Sequence, residues 1–290
     1  MQPLHFAVSG VDAFFWVPPL AGLVLAFFSS MVGISGAFLL LPFQMSVLGF
    51  AGPAASATNM VFNLFATPGG IWRYRHERRM LSPLAWLISI GSLPGIVLGF
   101  YIRTRWLADA AHFRLFVGIV LLYVAYRLLA GVANRADAAH GIPQGGIGPC
   151  RREAGRYVFS FDGAEHEFSV KAVLVLAFVV GIIGGIYGIG GGAMIAPFLI
   201  AAFGLPVHAV AGAALAGTFA SSLAGVAIYS LLPVPGVGSV APDWALGSLF
   251  GLGGFAGMIL GSAFQKRVSP ALLRGALGVL LCLLGGYYLL

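Results

Sequence analysis

The sequence has little charge and very few acidic side chains. Only 9% of the 290 residues are charged, whereas 59% are hydrophobic, and Asp and Glu together number 9. Soluble domains carry roughly 25% charged residues, so this scarcity excludes an ordinary soluble domain. The mean hydropathy of +0.96 points the same way. We therefore expect the chain to lie in a lipid bilayer.

Cysteine is nearly absent as well. Cys150 falls in a polar segment and Cys282 in an apolar C-terminal stretch. This placement predicts neither a disulfide framework nor a zinc site. Acidic residues are missing from the interior of every predicted span, so a proton relay built on buried carboxylates has no support. We expect no metal, no cofactor and no enzymatic activity, because no nucleophile or acid pair is placed for catalysis.

Basic residues outnumber acidic ones, and the formal net charge is +7. In a membrane protein, surplus Arg and Lys usually marks cytoplasmic loops, so the charge does not predict a nucleic-acid partner. The first residues are apolar and lack a basic segment followed by a small-residue cleavage site. We therefore expect no removable signal peptide.

Long hydrophobic stretches fill most of the chain. A crossing takes about 20 residues, so about eight to ten membrane segments fit, and the predicted fold is an all-α polytopic membrane protein. Two stretches, 37–50 and 192–204, are too short for an ordinary span, which indicates broken or re-entrant helices. The predicted stretches are 13–32, 37–50, 54–74, 83–102, 114–130, 172–187, 192–204, 208–232, 244–264 and 270–290.

One polar segment, residues 131–170, interrupts the hydrophobic pattern. Within it Tyr157, Phe159 and Phe161 alternate with polar residues, and an Asp-Gly pair follows at 162–163. Alternation next to Asp-Gly is typical of a β-hairpin with a type I′ turn. We predict a small hairpin on a cytoplasmic loop, most simply a linker between two membrane parts.

An internal repeat divides the rest of the chain. A shift of 155 residues aligns 33–74 with 188–229 without a gap. This predicts an N-terminal membrane repeat (1–130) and a C-terminal membrane repeat (171–290) on either side of the loop. The identical pairs include Gly33/Gly188, Ile34/Ile189, Gly36/Gly191, Pro42/Pro197, Phe43/Phe198, Gly49/Gly204, Ala54/Ala209, Gly70/Gly225 and Tyr74/Tyr229.

Charge gives the relative orientation of the two repeats. The arginine-rich segment 73–79 is expected to face the cytoplasm, where its arginines act as topology anchors or attract anions. The equivalent segment after Tyr229 has no basic residue and is expected outside. The repeats are then inverted, and both termini lie outside. Arg103 and Arg105 disagree with this scheme, because they would face outward.

Each repeat contains a glycine-rich interruption followed by a proline: GISGAFLLLP at 33–42 and GIGGGAMIAP at 188–197. A helix that begins after such a break presents free N–H groups and the positive end of its dipole, which favours an anion. Paired interrupted helices in inverted repeats are typical of transporters. The alternative is that these glycines only allow close helix packing.

Polar residues recur on the helix after each break. Asn59, Asn63 and Thr67 are spaced by four residues and share one face. They either bind the oxygen atoms of an anion or join helices by hydrogen bonds. The candidate substrate-binding residues are Gly33, Ser35, Gly36, Asn59, Asn63, Thr67, Gly190, Gly191, Gly192, Thr218 and Ser222.

The two breaks, with ATN at 57–59 and GTFASSLAG at 217–225 in the helices that follow, resemble the TauE/SafE sulfite exporter family, also called the 4-toluene sulfonate uptake permease family. The resemblance covers nearly the whole chain outside the polar segment. It implies a bacterial inner-membrane carrier for small sulfur-containing anions such as sulfite or sulfoacetate.

The first copy of the family motif departs from the second. Ser35 and Ala37 stand where the second copy has Gly190 and Gly192, so equal roles for the two halves do not follow from the resemblance.

The predicted function is a secondary transporter that exports sulfite or an organosulfonate by alternating access, with both termini in the periplasm. An anion channel and an uptake permease for sulfonates remain alternatives. A third alternative is a membrane scaffold whose functional part is the cytoplasmic loop. The sequence predicts a small anionic substrate and the lipid bilayer as partners, and it specifies no oligomeric state.

Overall fold

The computed structural model describes residues 3–31, 34–133, 147–161, 163–236, 239–264 and 270–290. These ranges contain eleven helices and five short strands. Six of the described helices are long and apolar enough to cross a membrane. The predicted all-α polytopic fold is confirmed.

The first half starts with a small hairpin and continues as helices. Pro53, Pro68 and Pro83 each stand in the first turn of a helix, where a missing N–H costs nothing. Pro68 also divides the predicted stretch 54–74 into two helices. The elements are β1 (Leu4–Phe6), β2 (Val11–Ala13), α1 (Val17–Met31), α2 (Ala37–Ser46), α3 (Pro53–Ala66), α4 (Pro68–His76), α5 (Ser82–Arg105) and α6 (Ala110–Ala133).

The second half repeats the order of long and short helices. Its elements are α7 (Val170–Tyr187), α8 (Gly191–Phe203), α9 (Val207–Leu231), α10 (Trp244–Phe264) and α11 (Pro270–Leu289). The shift that aligns the repeats places α7, α8 and α9 on α1, α2 and the α3–α4 pair. The order of elements therefore follows the sequence repeat.

A three-stranded antiparallel sheet lies between the halves. Its strands are β3 (Ile147–Glu153), β4 (Arg156–Phe161) and β5 (Ala164–Ser169), in that spatial order. Strands β4 and β5 occupy the segment for which a hairpin was predicted, and β3 is a third strand that was not predicted. Asp162, in the predicted turn, lies outside the described residues.

The sheet is attached to the helical part by main-chain hydrogen bonding. Ile147 N donates to Arg78 O at 3.0 Å, which ties β3 to the turn between α4 and α5. Phe159, Phe161 and Phe168 are buried and form the apolar side of the sheet. The sheet therefore lies beside the arginine-rich end of α4.

The most extensive helix contacts join the two halves through glycine. Gly253 and Gly257 of α10 lie directly against the carbonyl groups of Pro19 and Leu23 of α1, where a Cβ would overlap with main-chain oxygen. The parallel register of these pairs shows that α1 and α10 run in the same direction. Helix α5 packs on α7 in the same way, at Gly99 among others. Each half thus packs a long helix, α5 or α10, on the first helix of the other half.

Equivalent helices of the two halves meet antiparallel. Met60 of α3 contacts Gly225 of α9, and Leu215 of α9 contacts Gly70 at the start of α4. The repeat shift converts one of these pairs into the other, so the contacts follow an approximate two-fold relation. Helices α6 and α11 also run antiparallel. The inverted orientation of the repeats in a membrane stays a prediction.

Candidate functional site

The first break separates α1 from α2. Gly33, a candidate site residue, lies outside the described residues. Gly36 is the residue before α2 and packs against the ring of Phe62. The Ser35 hydroxyl accepts a hydrogen bond from Ala37 N at 3.3 Å. A serine side chain thus satisfies one of the main-chain amides at the start of α2.

The second break separates α7 from α8. Gly188 and Gly190 have φ angles of +86° and +74°, which side chains other than glycine rarely adopt. Gly191 N donates to the Ser221 hydroxyl at 2.8 Å. Gly192 lies so close to α9 that a Cβ would overlap with a carbonyl oxygen of that helix. The glycines bring the start of α8 into direct contact with α9.

One buried amide joins both breaks. Asn63 Nδ2 donates to Ile189 O at 3.0 Å and to the Ser222 hydroxyl at 3.3 Å. The Ser35 hydroxyl donates to Asn63 Oδ1 at 3.0 Å. Asn63 stands near the middle of the 53–76 helix pair, so the two breaks meet midway along its length.

A cavity of about 640 Å³ leads to this meeting point. Its inner end is lined by Ser35, Gly192 and Thr218, three of the candidate residues. Its mouth is lined by Arg73 of α4 and by Arg79 in the turn that follows α4. The volume falls within the roughly 300–1,000 Å³ of small-molecule sites, so the cavity has room for a small anion and water.

Ion pairs lie at the mouth of the cavity. Arg73 Nε lies 3.0 Å from Glu77 Oε1, and Arg79 Nη1 lies 3.4 Å from Glu77 Oε2. One carboxylate thus contacts both guanidinium groups. Arg75, on the same helix, is exposed and does not line the cavity.

The remaining described candidates lie behind the cavity wall. Asn59, Asn63, Thr67 and Ser222 are fully buried. The Asn59 amide donates to Ala37 O at 3.0 Å, and the Thr67 hydroxyl donates to Asn63 O at 2.8 Å. In this conformation Asn59, Asn63 and Ser222 join helices, whereas the Thr67 hydroxyl bonds one turn back along its own segment. The candidates away from the cavity lining are Gly36, Asn59, Asn63, Thr67, Gly190, Gly191 and Ser222.

Sequence reasoning missed a buried arginine at the end of α5. The Arg103 side chain is 0% exposed, and its guanidinium stacks 3.5 Å from the centroid of the Phe113 ring. Arg103 Nε donates to the Ser56 hydroxyl at 3.2 Å and Nη2 donates to Ala51 O at 2.8 Å. Nη1 donates to Leu107 O. Arg103 is therefore held inside the protein by neutral acceptors.

Burial changes the meaning of the charge pattern at this end of the molecule. A buried Arg103 does not act as a topology anchor, whereas Arg105 is exposed. Arg103 therefore ceases to contradict the predicted orientation, and Arg105 alone departs from it. The disagreement with the charge rule was the signal in the sequence that could have singled out Arg103.

Comparisons with known proteins agree with this architecture. The family model described as "Sulfite exporter TauE/SafE" matches residues 19–288. The chain is similar to the "Probable membrane transporter protein YunE" of Bacillus subtilis (strain 168), with 23% identity over 273 residues, 91% of this chain and 93% of that protein. No solved structure matches the chain. The resemblance seen in the sequence is confirmed: the chain belongs to the TauE/SafE sulfite exporter family and is a multi-pass membrane protein of the transporter type.

Proposed function

We propose that this protein exports a small sulfur-containing oxyanion, sulfite or an organosulfonate such as sulfoacetate, across the bacterial inner membrane by alternating access. The observation that carries the proposal is the cavity between the repeats. It runs from a mouth lined by Arg73 and Arg79 to neutral polar groups beside both breaks.

The inner end of the cavity offers the donors that a sulfonate or sulfite group needs. Gly192 and Ala193 line the cavity and stand in the first turn of α8, where a main-chain amide has no acceptor one turn earlier in the helix. Ser35 and Thr218 line the same end, and their hydroxyl hydrogens, now bonded to Asn63 Oδ1 and Ala214 O, turn to the anion when it binds. Oxygen atoms of an anion form charge-assisted hydrogen bonds with such groups, and the start of α8 adds the positive end of its dipole.

The two ends of the molecule differ in a way that supports alternating access. Tyr74 lines the deep cavity, whereas its repeat equivalent, Tyr229, lines an open depression of about 730 Å³ at the opposite end. The two equivalent tyrosines therefore line differently shaped openings at the two ends of the molecule. An exchange of the two arrangements would close the cavity and deepen the depression, which is the motion expected of inverted repeats.

Charge and helix direction support the proposed orientation. The cavity mouth lies at the arginine-rich end of α4, which favours the cytoplasmic side. The antiparallel packing of equivalent helices supports an inverted repeat with both termini in the periplasm. We propose 1–130 and 171–290 as the two membrane units and 131–170 as their cytoplasmic connection.

Export of an anion from a cell with a negative interior is energetically downhill. The membrane potential contributes roughly 2.3 kcal/mol per charge per 100 mV. A buried carboxylate relay is therefore unnecessary for outward flux.

Counterflow in proteoliposomes tests the proposal. The purified protein is reconstituted with unlabelled anion inside, and uptake of radiolabelled sulfite or a labelled C2 sulfonate is followed. We expect saturable counterflow, with sulfate and thiosulfate as competitors that rank the preference. Flux of the same anions without counterflow would support a channel and contradict the carrier, and liposomes without protein are the control.

A further inference from the structure

Arg103 is a buried charge that the cavity described above does not use. It stands near the end of α5, whereas the cavity mouth lies near Ser82 at the start of that helix. At 1.5 Å per residue the two positions are separated by roughly 30 Å. Among the described residues, the ion pairs do not include Arg103.

Neutral acceptors only partly offset the cost of burying this charge. A guanidinium removed from water without an anionic partner is costly, and ionisable groups within a membrane protein usually mark a functional site. Ser56, Ala51 and Leu107, which accept its hydrogen bonds, come from the start of α3, the loop before it and the turn after α5. These segments all lie at the end of the molecule that the cavity does not reach.

The repeat indicates which residues would line a cavity open to the other side. Four residues of α9 line the present cavity: Ala211, Ala214, Leu215 and Thr218. Their equivalents in the first repeat are Ser56, Asn59, Met60 and Asn63, three of which are polar. If the two halves exchange arrangements, these three polar residues on α3 form the corresponding wall of the outward-open cavity.

Arg103 already contacts one residue of this proposed outward-open wall. Its Nε is 3.2 Å from the Ser56 hydroxyl, so exposure of Ser56 would bring the guanidinium to the cavity surface. Asn59 Oδ1 is buried without a hydrogen-bond partner among the described residues. The closed packing thus leaves a polar group of this wall unsatisfied, as expected of a surface that is hydrated in another state.

We infer that Arg103 binds the transported anion in the outward-open state, with Ser56, Asn59 and Asn63 as neutral neighbours. This inference rests on the proposed function. A guanidinium binds two oxygens of one group at once, which fits a sulfite or sulfonate group. In the present state the neutral acceptors occupy its donors, and the anion replaces them when this end opens.

The inference predicts an anion site that differs between the two sides. By the alignment of PGIVLG at 94–99 with AGMILG at 256–261, the sequence position equivalent to Arg103 is Gln265. The second repeat therefore has glutamine and not arginine at this position of the sequence. Substitution of Arg103 should weaken binding from one side only.

The test is a sided measurement of KM in oriented proteoliposomes with radiolabelled sulfite. We expect Arg103→Gln to raise KM on the outer side about tenfold or more, because a charged hydrogen bond is lost. KM on the inner side should stay within about twofold. Arg103→Lys, which keeps the charge but loses the paired donors, should give an outer KM between those of wild type and Arg103→Gln, with the inner KM unchanged. Arg105→Gln, the same charge change at an exposed position, is the matched control.

The outcomes separate this inference from the proposed function. Absence of saturable sulfite or sulfonate exchange in the wild type overturns both. Exchange in the wild type with equal effects of Arg103→Gln on the two sides overturns the inference alone and leaves a structural role. If Arg103→Gln does not fold, Ser56→Ala and Arg103→Lys decide: a rise in outer KM for both, with inner KM unchanged, supports the inference, and the absence of that rise overturns it.

Discussion

The two breaks occupy equivalent positions in the repeat but are held in different ways. In the first, side chains bridge the gap: Asn59 donates to the carbonyl of Ala37, and the Ser35 hydroxyl donates to Asn63. In the second, main chain meets main chain, because Gly192 lies directly on α9. At the first break, side chains therefore hold α2 and α3 apart. At the second break, the main chains of α8 and α9 are in direct contact.

Compensating residue sizes explain how one repeat accommodates both arrangements. Ala37 in the first copy faces Asn59, whose amide is long enough to reach its carbonyl. In the second copy the equivalents are Gly192 and Ala214, a pair small enough for close packing. The departure between the two motifs is thus a difference in helix spacing, and it places Gly192 in the cavity wall.

The largest effect is expected for Gly192→Ala. The added Cβ would overlap with a main-chain oxygen of α9, and overpacking of this kind costs about 1–3 kcal/mol. We expect a lower unfolding temperature and loss of most transport, measured by thermal unfolding and counterflow. Gly275→Ala, where a Cβ would meet nothing within 4 Å, is the matched control. A fully active Gly192→Ala variant would contradict the close packing described for the second break.

Asn63→Leu should break the junction between the two breaks. It would leave Ile189 O and the Ser222 hydroxyl without the donor they use now, at a cost of about 1–3 kcal/mol. We expect a clear loss of stability in chemical unfolding together with weaker anion binding. Unchanged stability would show that the amide is not the tie between the halves.

Thr218→Val should act mainly on the substrate. Thr218 is the repeat equivalent of Asn63, but its hydroxyl donates only within its own helix, to Ala214 O at 3.0 Å. Removal of the hydroxyl should therefore change stability by less than about 1 kcal/mol. It should weaken anion binding about threefold to tenfold, since one hydrogen bond in the cavity wall is lost. Thr104→Val, which removes a similar hydroxyl bonded within α5, serves as the control in the binding assay.

Cysteine labelling is expected to leave transport unchanged and to test the two-fold relation itself. In a background without Cys150 and Cys282, His76→Cys should react with an impermeant maleimide from the cytoplasm. Gly236→Cys should react from the periplasm. Both positions are exposed in the structure. Labelling of both from the same side would refute the inverted orientation.

Much of the architecture could be predicted from local sequence. Long apolar stretches require helices in a bilayer, because every main-chain polar group there needs an internal partner. Glycine and proline mark the breaks since they act on the backbone of their own segment. The division of α3 from α4 at Pro68 follows the same local rule, although the hydrophobic pattern alone concealed it.

Which of the candidate residues line the cavity was harder to predict from the sequence. The spacing of Asn59, Asn63 and Thr67 placed them on one face, but the sequence does not say what that face meets. In the structure it meets the breaks, and the cavity wall is formed instead by Thr218 and Gly192. The lining of the cavity depends on how the helices of the two repeats pack, which local spacing does not specify.

By itself the sequence determined the membrane class, the repeat, the two breaks and the basic segment beside α4. Hydropathy, glycine, proline and charge each affect the segment of the chain in which they occur, so their effects can be predicted locally. Only the tertiary structure decided that Asn63 joins the breaks, that one end is open and that Arg103 is buried rather than exposed. Those outcomes depend on contacts between residues that are distant in the chain. Such contacts are set by how the two halves pack, which local patterns do not encode.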